Sequence, residues 1–146
     1  MNIHLATDHA GFEMKEFVKK HLIESGNHVT DHGAFTYDSS DDYPDFITPC
    51  AVAVADDTRS LGIIFGGSGQ GEQITANKID GIRAIEYYGG DTEIIKLGRE
   101  HNDANILSIG ARFITNDQVI AAIQIFLNTS FSENERHIRR IEKIES

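Results

Sequence analysis

Ser60-Leu61-Gly62-Ile63-Ile64-Phe65-Gly66-Gly67-Ser68-Gly69-Gln70-Gly71-Glu72-Gln73 runs from an apolar segment into a glycine-rich turn, then into a helix that opens on a carboxylate. The first five apolar positions read as a buried strand. Four glycines within the six residues 66–71 let backbone N–H groups converge on one point, because no Cβ blocks the approach. Such a turn at a helix N-terminus is an anion site. It is not a phosphate loop of the Walker type, since Glu72-Gln73 stand where Lys-Ser/Thr belong. Nor is it a dinucleotide fingerprint: the spacing is G-x-G-x-G and it follows the third strand. A plain βα turn, with Glu72 favoured by the helix dipole, accounts for part of the pattern. Four glycines exceed what a turn needs. An anion hole beside a carboxylate suits an oxyanion formed during proton transfer.

Outward from this stretch, apolar β-branched runs alternate with amphipathic ones. Strands are expected at Asn2–Thr7, His28–Asp31, Leu61–Phe65, Ile82–Tyr87 and Ile106–Ile109. Helices are expected at Gly11–Ser25, Pro44 to about Asp57, Gly71–Ile79, Asp91–Glu100, Asn116–Asn128 and Glu133–Glu145. Phe12, Phe17, Val18 and Leu22 give the first helix its apolar stripe. In the last helix Ile138, Ile141 and Ile144 lie on a different face from the arginines. This alternation predicts an α/β fold: a three-layer, Rossmann-like domain with a five-stranded parallel sheet flanked by helices, plus a C-terminal helix. Residues 1–146 form one domain, without linker or repeat.

In such sheets the ligand sits beyond the carboxyl ends of the strands. The residues there are Asp8-His9, the Gly33–Tyr43 stretch, Gly66–Glu72, Tyr88–Asp91 and Gly110–Arg112. Asp8 is either an N-cap or a site residue, and His9 either an exposed first-turn residue or a ligand contact. His101, in Arg99-Glu100-His101-Asn102-Asp103, either interacts with a helix C-terminus or serves as a general acid/base, and Asn102 is able to donate to an oxyanion. Arg136 and Arg140 are four apart and share a face. With Arg112 they form a phosphate clamp, or else a solvated face pairing with Glu133, Glu135 and Glu142.

The net charge of −10 argues against nucleic acid or anionic membrane as partners, though four of the seven arginines gather in the last 35 residues. No apolar run approaches the ~18 residues of a membrane span and no signal-peptide pattern stands out, so the cytoplasm is the expected compartment. Cys50 is the one cysteine and reads as core. His4, His21, His28 and His32 lack metal-ligand spacing, and neither a metal nor a cofactor is expected. No G-x-S-x-G nucleophile elbow is present.

Taken together, Thr7-Asp8-His9-Ala10-Gly11, Asp42-Tyr43-Pro44, Gly66–Glu72, Ala76-Asn77-Lys78, Gly81-Ile82-Arg83, Arg99–Asp103 and Arg136–Arg140 resemble the B-type ribose-5-phosphate isomerases, within the group that includes galactose-6-phosphate isomerase subunits. The resemblance covers essentially the whole chain. It implies a metal-independent aldose–ketose isomerase acting on a phosphorylated sugar: D-ribose 5-phosphate, or another aldose phosphate such as allose or galactose 6-phosphate. A non-catalytic α/β ligand-binding domain is the alternative of a different class.

In many members a cysteine precedes the glycine turn as the base. Gly66 stands there, so the resemblance is to the branch in which Glu72 takes that role. By the same match Gly67, Ser68, Gly69, Gln70 and Gly71 form the anion hole, supported by Asn102. His101 assists ring opening, Asp8 and His9 contact the substrate, and Arg112, Arg136 and Arg140 hold the phosphate. The resemblance further implies a homodimer with shared active sites, with a tetramer as the larger alternative. One departure is a segment between Arg83 and His101 about two residues longer than the family pattern.

Overall fold

The computed structural model describes residues 1–146. Its elements, in chain order, are β1 (Asn2–Thr7), a 3₁₀ turn (His9–Gly11), α1 (Phe12–Glu24), β2 (His28–Asp31), α2 (Pro44–Asp56), β3 (Leu61–Gly66), α3 (Gln70–Ala76), β4 (Ala84–Tyr87), α4 (Glu93–Asn102), β5 (Ile106–Gly110), α5 (Asn116–Asn128) and α6 (Glu135–Glu145). The five strands are all parallel, in the order β2-β1-β3-β5-β4. The expected α/β, Rossmann-like architecture with a C-terminal helix is what forms.

Side chains alternate across the sheet and build two cores. On one face Ile3, Leu5, Ile63, Phe65, Leu107 and Ile109 pack beneath Val18 and Leu22 of α1, Ile95 of α4, and Val119, Ile123 and Phe126 of α5. On the other, Ala6, Ile64 and Ile106 pack against Ile47, Cys50, Ala51 and Val54 of α2 and Ala76 of α3. Cys50 is fully buried, as expected. No helix is long and apolar enough to cross a membrane.

The chain leaves β1 toward β2 on one side and returns to β3 on the other. The carboxyl ends of β1 and β3 therefore flank a topological switch point, where such sheets open a crevice. The register Thr7↔Phe65 brings Asp8 and Gly66 to neighbouring strand ends. Gly11 lets α1 start against the sheet: a Cβ there would stand 2.5 Å from Phe65 Cβ and 2.6 Å from Thr7 Oγ1.

Several boundaries differ from the sequence reading. α3 ends at Ala76, not Ile79, because the Asn77 side chain turns to bond the main chain of Ala84. β4 starts at Ala84 because the Arg83 N–H is taken by Asn105 Oδ1 at 2.8 Å. α4 begins at Glu93 and runs on to Asn102, so His101 and Asn102 form its last turn, closed by Asp103 at φ 45°. Before α4 lies a loop in which Gly89 and Gly90 take positive φ. α6 starts at Glu135, capped by the Asn134 side chain. Its apolar residues are not its buried ones: Ile138 and Ile144 are exposed and His137 is buried.

α1 also differs: Phe17 is largely exposed, while Lys15 is fully buried. The Lys15 ammonium donates to both Asp31 oxygens at 2.8 Å and to the Ala34 carbonyl at 2.7 Å, which satisfies it without water.

Candidate active site

Two groups of side chains carry the candidate chemistry, one at the carboxyl end of the sheet and one where α4 runs back to the amino end of β5. The first is built on the turn after β3. Gly69 takes φ 84°, and its carbonyl accepts from the buried Ser108 hydroxyl at 2.6 Å, which pins the turn to β5. Arg112 reaches back from the loop after β5. Its N–H donates to the Gly67 carbonyl at 3.1 Å, and its guanidinium lies over Gly67, where a Cβ would stand 3.1 Å from Nη1. The Tyr43 ring covers Gly71, whose Cβ would be 2.7 Å from the hydroxyl oxygen. Ser68 Oγ accepts from the Gln70 N–H. Gly67, Ser68, Gly69, Gln70, Gly71 and Arg112 thus stand together, as expected.

Glu72, in the first turn of α3, turns inward and is 4% exposed. Its carboxyl group fills the space that a side chain at residue 66 would take: a Cβ on Gly66 would fall on the Glu72 carboxyl carbon and both oxygens. Burial is the main reason its pKa rises from 4.5 to about 7, and the charges of Asp8 and Glu86 add to the rise. Its own backbone N–H and His9 pull the other way. A carboxyl group titrating near neutrality exchanges protons in both directions at working pH.

Asp8 and His9 close the other side of the crevice. Asp8 is buried and caps the 3₁₀ turn, accepting from the Ala10 N–H at 2.9 Å. His9 donates to Asp41 Oδ1 through its ring Nδ1 at 2.7 Å and its backbone N–H at 3.1 Å. The Asp41 bond is the chief cause that raises the His9 pKa above 6.5. Asp8, His9 and Asp41 bring potential ligand atoms within 4.8 Å of one another, an arrangement absent from the sequence reading of metal sites. Asp8 and His9 are already committed to hydrogen bonds, and the cluster reads as a polar network.

The second group lies at the end of α4 and the start of α6. The His101 and His137 rings stack with centroids 4.2 Å apart and planes 17° from parallel. Arg136 and Arg140 are exposed, and near enough that, after burial and His101, they push the His137 pKa below 6.5. Asn102 is also exposed; its side chain lines a cavity of about 310 Å³ with Gln73, Glu86 and His101. Its carbonyl accepts from Arg83 Nε at 2.8 Å. No hydrogen bond, ion pair or ring contact joins this group to the glycine turn within one chain. The resemblance implies that the His101 segment, Arg136 and Arg140 reach the glycine turn of a neighbouring copy, and a single chain does not test that placement.

A cavity of about 590 Å³ lies at the opposite end of the strands, near Met1, Ser60, Leu61 and Asn105. Its Arg83 is committed to carbonyls and carboxylates, and no chemistry-bearing group identified above lines it.

Three residues received no role in the sequence reading, although Tyr43 lies in one of its motifs. Asp41 and Tyr43 lie in the strand-end stretch Gly33–Tyr43, but nothing in the sequence separates Asp41 from Asp38 or Asp42. Glu86 carried a usable signal, as the one charge inside β4.

A family model described as ribose/galactose isomerase matches residues 3–144. The chain belongs to this family. Among its relatives, the ribose-5-phosphate isomerase B of Mycolicibacterium paratuberculosis is 44% identical over 142 residues, covering 97% of this chain and 88% of that one. That of Escherichia coli is 36% identical, covering 94% and 89%. Among solved structures, ribose-5-phosphate isomerase B from Mycoplasma genitalium with bound ribulose-5-phosphate superposes with a TM-score of 0.92 at 36% identity, covering 99% of this chain and 93% of that one. The family resemblance drawn from the motifs therefore holds, and with it the class: an aldose–ketose isomerase.

Proposed function

We propose that the chain interconverts D-ribose 5-phosphate and D-ribulose 5-phosphate through a cis-enediolate, with Glu72 as the base. The observation that carries this reading is the Glu72 carboxyl group, buried in the space left by Gly66 and set beside the glycine turn. Glu72 takes the C2 proton of the open-chain aldose. The electron pair moves into a C1–C2 double bond, and the carbonyl oxygen at C1 becomes an oxyanion. The N–H groups of Gly67–Gly71 hold that charge, a contribution worth roughly 3–4 kcal/mol per well-placed donor. Glu72 then returns the proton to C1, while the C2 hydroxyl proton passes to the C1 oxygen, leaving a ketone at C2 and a hydroxyl at C1. Positioned proton transfer adds on the order of 10²–10⁴-fold in rate.

His101 opens the furanose ring, Asn102 supports the anion hole, and Asp8 and His9 contact the sugar. Arg112, Arg136 and Arg140 hold the phosphate, whose remote binding energy orients the reacting carbons. As the resemblance implies, the site is completed across a homodimer, the second copy supplying His101, Asn102, Arg136 and Arg140; the absence of any hydrogen bond, ion pair or ring contact between the two groups within one chain supports this reading. The reaction needs no metal, and the compartment is the cytoplasm.

The test is incubation with a panel of five- and six-carbon aldose phosphates in heavy water. Ribose 5-phosphate should be turned over fastest and should gain deuterium at the exchanging carbon. Faster turnover of allose or galactose 6-phosphate reassigns the substrate, and no exchange with any sugar phosphate rejects catalysis. Glu72→Gln should bind substrate nearly as well and lose isomerisation; retained turnover removes Glu72 as the base.

A further inference from the structure

Asp41 has no part in the reaction written above, yet it is built into the crevice. It lies in the irregular stretch between β2 and α2, and its side chain is only 8% exposed. One oxygen, Oδ1, accepts twice from a single residue, the His9 ring Nδ1 and the His9 backbone N–H. The other, Oδ2, is buried with no hydrogen-bond partner. A buried carboxylate with an orphaned oxygen weakens a fold, so stability does not account for aspartate here. Its surroundings add to that cost. The charged groups facing His9 are Asp8, Asp38 and Glu72 as well as Asp41, with Arg112 the cation among them.

The double contact has a chemical consequence. A ring nitrogen held 2.7 Å from a carboxylate oxygen must carry the proton, because the carboxylate only accepts. Nδ1–H is therefore turned inward, and the backbone bond to the same oxygen fixes the residue from which the ring hangs. Nε2 is left as the free atom of a partly exposed side chain. When the ring is charged, Nε2 is a donor, with Arg112 as its cationic neighbour.

We propose that Asp41 is a positioning residue, which locks the His9 imidazole with Nδ1–H inward so that, in the charged ring, Nε2–H is presented as a donor to an anionic oxygen of the substrate. The Tyr37 ring, edge-on to His9 with centroids 6.2 Å apart, limits the ring's swing on the open side. Only the identity of that substrate rests on the isomerase reading; the lock itself does not.

The experiment follows the His9 ring nitrogens by long-range ¹H–¹⁵N NMR through a pH titration, in the wild type and in Asp41→Asn, alongside steady-state kinetics. The substitution keeps shape and acceptor oxygen but removes the charge. In the wild type the neutral ring should carry its proton on Nδ1; a proton on Nε2 overturns the proposal without any variant. In Asp41→Asn the His9 pKa should fall, since the Asp41 bond is the chief cause that raises it. The melting temperature should stay level or rise, and kcat/KM near neutral pH should drop about tenfold, mainly through KM. A lower melting temperature with the His9 titration and KM unmoved would make Asp41 merely structural and overturn the proposal. So would wild-type activity that EDTA abolishes and Mn²⁺ or Zn²⁺ restores, since Asp8, His9 and Asp41 would then be holding a cation. If the wild type isomerises no sugar phosphate, the proposed function fails by itself, and the NMR titration still decides the role of Asp41.

Discussion

Replacing Gly66 by alanine should separate activity from stability, with a magnitude that follows from Glu72. The new Cβ would overlap the Glu72 carboxyl group. Those atoms are the far end of a flexible side chain, so Glu72 swings away and the backbone stays. Gly66 is not among the residues with positive φ, and alanine meets no backbone strain there. In the wild type the Glu72 pKa is raised from 4.5 to about 7. The folded state then holds that proton more tightly than the unfolded chain. The resulting penalty is absent below about 4.5, grows as pH rises toward 7, and is complete above it. At about 1.4 kcal/mol per pH unit it reaches roughly 3 kcal/mol. Moving the carboxylate into water removes it, and Gly→Ala adds about 0.4–1 kcal/mol through the unfolded state, against the packing lost. Gly66→Ala should therefore be about as stable as the wild type at pH ~8 or up to ~3 kcal/mol more so, with a flatter dependence between pH ~5 and ~7. Its kcat/KM should fall by at least about 10²-fold, the cost of a misplacement of only about 1 Å, because the carboxylate leaves the site altogether. Urea melts across that pH range and kinetics on the same samples measure both. Near-normal turnover, or a pH dependence of stability as steep as the wild type's, would refute the reasoning.

Lys15→Met should leave Asp31 half-buried without its main partner, costing about 3–5 kcal/mol at neutral pH in urea melts. Burial alone would raise the Asp31 pKa, but hydrogen bonds from Lys15, Lys19 and the Gly33 N–H hold it below 3.8. The stability Asp31 contributes is therefore present above about pH 3.8 and lost as pH falls through the lower folded value, so the variant should show a weaker acid transition in that window. Cys50 is buried and its thiol pKa is pushed far up by burial, so alkylation of the native protein should leave it unmodified by mass spectrometry and activity intact. Ser108→Ala removes the donor to the Gly69 carbonyl and should lower kcat/KM more than the melting temperature, because the bond shapes the anion turn.

The parts legible in the sequence were those governed by local rules. Strand-helix alternation predicted the parallel sheet, and the strand-end rule placed Asp8, Gly66–Glu72 and Arg112 in one crevice. Where the reading drifted, a side chain far along the chain had intervened. Asn77 and Asn105 take main-chain groups that α3 and β4 would otherwise use. Lys15 broke the expected stripe of α1 because its partners Asp31 and Ala34 lie sixteen and nineteen residues on. A helical period records which face is inward, but not that a buried cation will find a carboxylate there. The apolar face of α6 shows the opposite limit: Ile138 and Ile144 mark a face that one chain alone leaves exposed.

Gly66 explains why the site was readable at all. A glycine is usually read for its own backbone freedom, yet Gly66 needs none. Its informative property is the volume it leaves, which Glu72, six residues on, fills with its carboxyl group. The two positions are therefore coupled. Any side chain at 66 expels the carboxylate, and a shorter side chain at 72 leaves a hole beside the anion turn. The same volume accounts for the family's two solutions implied by the motif resemblance. A reactive group delivered from residue 66 and one delivered from residue 72 would reach the same point by different routes, and there is room for only one. A single letter before the glycine turn thus carries information about the residue that enters its space. It does so without any contact visible in sequence, because the constraint is steric exclusion at a point where strand and helix ends meet.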